Sequence, residues 1–277
     1  MDWSVYWYGQ KQPQVEALET TVSSEVVVVG GGIAGLTCAQ ALAERGVDVA
    51  VVEQAFCGAG ASGKSSGFIT PDSELELSDL VRNYGEARGQ EPWEFARSGV
   101  ERIRGTIKTL AIDCDYQIQD SLFVATSARA FRKTIEAEHR THASLGYRST
   151  EYDRAPLEAT LGSRAYQGGL RYAGTSGINS FAYCRGLRSA LAQRGVRIFE
   201  GTRVTRLTAR GVETPGGAVT ARSVAVLTDY ELPGLGVAAP VYHIQSVLSI
   251  SRPLRDQEIR TIFPEDRLMV WDTDLIY

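Results

Sequence analysis

The residues best suited to chemistry lie in residues 26–53, VVVVGGGIAGLTCAQALAERGVDVAVVE, where Gly30, Gly32 and Gly35 take a G-x-G-x-x-G spacing. Four valines precede the glycines and helically spaced apolar residues follow, so the stretch reads as strand, tight turn, helix, strand. Glycines there let the backbone turn sharply and approach a pyrophosphate. The following helix stabilises that charge with its unpaired N–H groups and the positive end of its dipole. Glu53 ends the second strand, where a carboxylate can accept hydrogen bonds from an adenosine ribose. The pattern predicts a dinucleotide site, and on these residues alone the dinucleotide is NAD or FAD.

A second glycine-rich stretch competes with the first. Residues 58–65, GAGASGKS, satisfy the P-loop spacing G-x-x-x-x-G-K-[ST], and VAVLTD at 224–229 resembles an apolar strand ending in a magnesium-binding Asp. In that alternative Lys64 reaches the outer phosphates of ATP, Ser65 holds Mg²⁺, and the protein is an NTPase. A P-loop must run directly from a strand into a helix. Here residues 54–57 intervene before it, and Gly67, Phe68, Ile69, Thr70 and Pro71 follow instead of a helical pattern. Residues 63–67, GKSSG, also fit a nucleophile elbow, but the chain offers only His139, His142 and His243 as partners and no helix after Ser65. His139 and His142 have the spacing of metal ligands on a helix. Their segment is rich in Arg, Lys and Glu, so a solvated face and no metal site are expected. His243, in VYHIQSVLSI, reads as structural.

The positioning elements follow from periodicity. Leu36, Ala39, Leu42 and Ala43 form an apolar helix face that Gly46 closes, and residues 47–52 form a strand covered on both faces. Ala96, Val100, Ile103, Ile107 and Leu110 predict a long helix; 116–126 a strand pair or hairpin; 128–144 a surface helix. Ser180 is expected to cap a helix carrying Cys184, Leu187 and Leu191, which Gly195 ends before a strand at 196–199. Further strands are expected at 204–207, 218–227, 242–250 and 267–271. The aromatics Trp3, Tyr6, Trp7 and Tyr8 read as an N-terminal arm packed on the body.

At 277 residues and a net charge of −4 with both signs dispersed, nothing predicts nucleic-acid or anionic-membrane binding. No apolar run approaches the roughly 20 residues of a membrane span, and the aromatic N-terminus is unlike a secretory signal, so a soluble, cytoplasmic chain is expected. Cys38, Cys57, Cys114 and Cys184 are scattered without a C-x-x-C pair, as in a protein with reduced, partly buried thiols.

Taken in order, the aromatic arm, GGGIAGLTCAQALAERGVDVAVVE, GASGKSSGF and GTSGINSFAYCRGLRSALAQRGVRIFEGTRVTRL resemble the D-amino-acid-oxidase-type family of FAD-dependent oxidoreductases. That family includes the sarcosine, glycine and gamma-glutamylputrescine oxidases. The resemblance implies an α/β fold. A discontinuous Rossmann-like FAD-binding domain would comprise residues 1–84 and 179–236, and an α+β substrate lobe on a mixed or antiparallel sheet would comprise 85–178 and 237–277. By the same resemblance Gly30, Gly32, Ile33, Ala34 and Gly35 lie along the pyrophosphate and Glu53 with Gln54 at the ribose. Ala61, Ser62, Lys64, Ser65, Ser66, Gly67 and Phe68 follow the diphosphate and ribityl chain, Val204 meets adenine through its backbone, and Thr228 follows the late apolar strand. The family loop has Arg-Asn-Gly where this chain has Lys64-Ser65-Ser66. Members also continue into more substrate lobe and a last glycine-rich segment, so the resemblance implies a chain lacking its C-terminal part. The implied activity is oxidation of a small amine or amino acid by hydride transfer to flavin N5, giving an imine that hydrolyses, with oxygen or a quinone as acceptor. No catalytic residue is assigned, and the alternative beside the NTPase is a catalytically inactive flavin-binding fragment.

Overall fold

A computed structural model describes residues 5–9, 15–71, 75–229, 234–236, 242, 246–265 and 267–274. The valine run becomes β1 (Val22–Val29), the segment after the glycines α1 (Ile33–Ala43), and the next apolar run β2 (Val49–Val52). A two-residue strand, β3 (Phe68–Ile69), precedes α2 (Leu77–Tyr84) and the long α3 (Glu86–Leu110). Then come β4 (Gln117–Ile118), β5 (Ser121–Val124), and a helix made of α4 (Ala128–Ala130), a π turn (Phe131–Ile135) and α5 (Glu136–Ser144). After β6 (Thr150–Asp153), α6 (Arg154–Leu161), β7 (Gly168–Tyr172) and β8 (Ser176–Gly177), the chain forms α7 (Ser180–Gln193) and β9 (Arg197–Phe199). It continues through β10 (Arg206–Thr208), β11 (Gly211–Thr214), β12 (Gly217–Val226), α8 (Asp256–Ile262) and β13 (Met269–Asp272).

The first sheet has the order β10-β11-β12-β1-β2-β9. Its core is parallel: β1 lies between β12 and β2, and β2 pairs in parallel with β9. At residues 27–29 of β1 and throughout β2 the side chains alternate between two buried faces, which is why these two runs lack polar residues. Val27, Val29, Ala50 and Val52 join Leu18, Val204, Val212 and Val219 in one cluster. Val28 faces the other way, toward α1 at Gly35. Fully burying each valine contributes about 1.5–3 kcal/mol. The β10-β11 hairpin extends the sheet antiparallel to β12.

The second sheet, β13-β5-β7-β6, is mixed, with β13 parallel to β5 and the other pairs antiparallel. The two faces of β5 explain its burial. Leu122 and Val124 pack with Leu157 and Leu161 of α6, whereas Phe123 packs with Ile135, Leu170 and Tyr172. Residues 116–126 therefore do not form a hairpin: β4 pairs with β8, and β5 with β7 and β13. Local alternation marks strands but carries no information about a partner 50 residues away.

By contact, the chain groups into Met1–Ser66, Ile107–Cys114 and Asn179–Ser249 as one unit, and Gly67–Thr106, Asp115–Ile178 and Ile250–Tyr277 as the other. Residues 67–84, placed with the nucleotide domain by the resemblance, group with the second unit through β3–β8 pairing and two N–H groups of α2 bonded to Glu138. Residues 107–114 group with the first because Cys114 O accepts from Asn179 N–H at 2.8 Å and Ile112 packs on Gly186. Asn179, not Ser180, caps α7: its Oδ1 accepts from Ala182 N–H at 3.0 Å. Residues 246–250 are not in a strand, and His243 and Trp3 lie outside the described residues. Among the described residues no helix is long and apolar enough to cross a membrane.

Candidate functional site

The glycine turn is built by close approach. Gly30 adopts φ +110°, and a Cβ there would fall 2.3 Å from Leu227 O at the end of β12. At Gly35 a Cβ would fall 1.8 Å from Gly30 O, so only glycine lets α1 start directly above the turn. The first N–H groups of α1 have no intrahelical partners. That of Ile33 is met by the hydroxyl of Ser62, at 3.0 Å, and Ser62 Oγ is also the atom nearest to where a Cβ on Gly32 would lie, at 2.9 Å. A serine hydroxyl that accepts from Ile33 retains one O–H to donate outward. The helix end and Ser62 thus present a neutral, donor-rich surface suited to an anion, with the Ala34 and Gly35 N–H groups behind it.

Ser62 is held there by the loop between β2 and β3. Gly58 N–H donates to Gly31 O at 3.0 Å, and Cys57 N–H donates to Glu200 Oε1 at 2.7 Å. Glu200 is fully buried and ion-pairs with Arg185 and, through Oε2 at 3.1 Å, with Arg188. This anchor was not legible in the sequence, because its carboxylate follows β9 and its arginines ride on α7. The loop then makes a 3₁₀ turn (Ala61–Lys64) and extends through Ser65. Lys64, Ser65 and Ser66 are exposed, and β3 rather than a helix follows. The strand-to-helix context of a P-loop is absent, and nothing in the geometry favours the NTPase alternative. In the second unit Gly67 O accepts from Ile178 N–H at 2.9 Å and Phe68 pairs with Gly177 across β3 and β8.

Glu53 stands at the end of β2 as expected, but its carboxylate is already engaged. Oε2 accepts from Gly31 N–H at 2.7 Å and Oε1 from Ala55 N–H at 2.9 Å. Its backbone reaches across to the segment after β9, accepting from Thr202 N–H at 2.8 Å. The remaining lone pairs of the carboxylate are open to further donors. Gln54 and Ala61 are exposed. Val204 is buried in the valine cluster, and its backbone N–H and C=O have no partner among the described residues. Thr228 follows β12 beside the turn, its Cγ2 3.6 Å from where a Cβ on Gly30 would lie, and its buried Oγ1 has no partner among the described residues. An orphaned buried hydroxyl costs about 1–3 kcal/mol, which a hydrogen-bonding ligand would offset.

Cys57, Cys114 and Cys184 are buried and Cys38 is partly so. Burial pushes the Cys57 thiol far up, aided by Glu200 and Glu53, and pushes Cys184 up to about 12; none of the four cysteines is in a disulfide. The histidines depart from expectation. His142 is not on a solvated face but almost wholly buried, its Nε2 3.0 Å from Glu138 Oε1, while His139 Nδ1 lies 3.0 Å from Ser149 Oγ. The charged residues on their segment occupy the outer side, and i, i+4 spacing puts Glu138 and His142 together on the inner one. Among the described residues no group of three or more His, Cys, Asp or Glu is placed to hold a metal.

The chain is 28% identical over 285 residues to a probable oxidoreductase of Haemophilus influenzae, covering 99% of this chain and 66% of that protein. It is 31% identical over 222 residues to the gamma-glutamylputrescine oxidoreductase of Escherichia coli, covering 79% of this chain and 52% of the other. The chain thus spans about half to two-thirds of the length of these relatives. Its fold matches the glycine oxidase of Geobacillus kaustophilus with a TM-score of 0.62 at 21% identity, over 77% of this chain and 57% of that one. An L-amino acid deaminase of Proteus myxofaciens matches with a TM-score of 0.64 at 19% identity, over 78% of this chain and 48% of that one. A family model described as FAD dependent oxidoreductase matches residues 25–277, from the middle of β1 onward. The glycine turn, the acid after β2 and the serine loop are therefore parts of one recognisable design, and the chain belongs to the FAD-dependent oxidoreductase family.

Proposed function

We propose that the first unit binds FAD and that the protein to which this chain belongs oxidises a small amine or amino acid, with oxygen or a quinone as acceptor. The observation that carries the reading is the glycine turn with a buried hydroxyl beside it, Thr228 Oγ1, that has no partner among the described residues. In this reading the turn at Gly30 and Gly32, the N–H groups of Ala34 and Gly35, and the Ser62 hydroxyl take the diphosphate. Ile33 acts through Ser62 rather than directly, since its N–H is already donated to that hydroxyl. The free lone pairs of Glu53, with Gln54, accept the ribose hydroxyls, and the unpaired backbone of Val204 meets adenine. Ala61 lets the loop lie flat along the diphosphate. Lys64, Ser65 and Ser66 continue outward and supply the exposed donors nearest the reacting end.

FAD, when bound, would supply the redox chemistry: oxidation of the carbon next to a neutral substrate nitrogen by hydride transfer to flavin N5, to an imine that water would hydrolyse. The residues of this chain bind, orient and hold. Substrate type is supported by what the relatives are named for: glutamylputrescine in one, glycine in another. The visible spectrum of the purified chain tests the cofactor, and anaerobic bleaching by a panel of amines tests the activity. A colourless chain that leaves added FAD fluorescence unchanged sinks the first reading. A yellow one that no amine bleaches sinks the second.

A further inference from the structure

Two side chains of the N-terminal arm hydrogen-bond to the serine loop; Tyr8 Oη has Gly58 O as a longer second acceptor at 3.3 Å, and the positions of the two shorter bonds are informative. Tyr8 Oη donates to Ala59 O at 2.7 Å, and Trp7 Nε1 donates to Ser65 O at 2.7 Å. These carbonyls lie three residues before and three residues after Ser62, the residue that meets the N-terminus of α1. Across residues 59–65 the loop is also held by Ala59 N–H, which donates to Phe56 O at 2.9 Å, and by the close approach of Gly63 to the Phe181 ring of α7. Its entry is fixed by Glu200 and Gly31, but within the turn the backbone bond from Gly63 N–H to Gly60 O is long, at 3.3 Å. The arm is itself anchored: the Tyr8 ring packs against Phe56 at 5.3 Å and against Phe181 of α7 at 4.8 Å. Burial, helped by Cys184 and Glu53, pushes the Tyr8 hydroxyl up to about 12, so it remains a donor at ordinary pH. Tyr6 is largely exposed, with Trp7 as its aromatic neighbour among the described residues.

We infer that Trp7 and Tyr8 are positioning residues for the cofactor: a latch that brackets the loop and sets Ser62 on the helix end before FAD arrives. The inference rests on the FAD-binding reading above. An unlatched loop would have to be ordered during binding, and that ordering weakens affinity without removing any contact to the ligand. Each latch bond removed singly should cost FAD affinity by the net value of one hydrogen bond, about three- to tenfold in Kd.

Y8F deletes the donor and keeps the ring, and W7F deletes the donor and keeps a smaller aromatic ring in place of the indole. FAD titration followed by flavin fluorescence should show Kd raised about three- to tenfold in each and more in the double variant. Y6F should match the wild type. On the chain without FAD, hydrogen exchange should quicken for amides 59–65 and at the start of α1 in W7F and Y8F, with the thermal midpoint lowered by no more than about 2–4 °C. Kd values within twofold of wild type, or unchanged loop exchange, overturn the latch, as does exchange quickened evenly throughout the first unit. A wild-type chain that does not bind FAD defeats the cofactor reading, while the exchange measurement still decides whether the arm orders the loop.

Discussion

Ser62 Oγ accepts the Ile33 N–H at 3.0 Å, so a residue 29 positions downstream caps the helix on which the glycine turn converges. The helix end is thereby satisfied in protein terms and yet keeps an outward hydroxyl donor, which is what a site that must bind and release an anion requires. S62A should weaken FAD binding about tenfold by removing that donor, and lower stability by roughly 1 kcal/mol through the lost cap. Titration calorimetry and denaturant melts check the two effects separately, and an unchanged FAD affinity would remove Ser62 from the site.

Thr228→Val discriminates a ligand-facing hydroxyl from a structural one by sign. Removing an orphaned buried hydroxyl should leave the chain without FAD as stable or about 1 kcal/mol more stable, while FAD affinity falls several-fold. If both stability and affinity fall together, Thr228 Oγ1 has a structural partner and the reading of this residue is wrong.

Gly35→Ala places a methyl group 1.8 Å from Gly30 O, a contact that no rotamer relieves. The cost should be about 3 kcal/mol or more, seen as a lowered urea midpoint or insoluble expression. Gly60→Ala is the control, since a methyl group there would meet nothing within 4 Å and the φ of −82° suits alanine. Equal effects at the two positions would refute the close-approach argument.

Glu200→Gln keeps an acceptor for Cys57 N–H but removes the charge that Arg185 and Arg188 share. The arginines are about one-fifth exposed and can turn partly to water, so the expected loss is about 2–3 kcal/mol, below the range for a wholly buried pair. Glu200→Ala, which also strands the Cys57 amide, should cost more. A double-mutant cycle with Arg188→Met measures the pair, and a coupling near zero would dismiss the network as an anchor.

Burial alone would raise the Glu138 carboxyl, but the hydrogen bond from His142 and the N–H of Ser78 outweigh it and hold it below the ordinary carboxylate range. A lowered folded pKa contributes stability that is fully present above the unfolded value, about 4.3, and is lost as pH falls through the folded value. Glu138→Gln should therefore be destabilised most at neutral pH, and its gap from wild type should narrow below about pH 4.3. Urea melts from pH 3 to 7 read this directly; a gap that widens in acid contradicts the sign.

The sequence by itself determined the β1-α1-β2 unit, because four consecutive valines, three spaced glycines and a closing Gly46 each state a local conformational requirement. It also placed α3, α7 and β12, whose periodicities are long. The parallel α/β sheet was legible for the same reason, and so was the family. What tertiary structure alone decided was partnership. Nothing local says that β4 pairs with β8, that Glu200 would be buried under Arg185 and Arg188, or that a histidine on a charge-rich helix turns inward onto Glu138. The arm was recognisable as aromatic, but only folding brings Trp7 and Tyr8 to the two carbonyls that bracket Ser62. Local backbone preference is written within a few residues, whereas a hydrogen bond between residues more than 50 positions apart depends on how every intervening element packs.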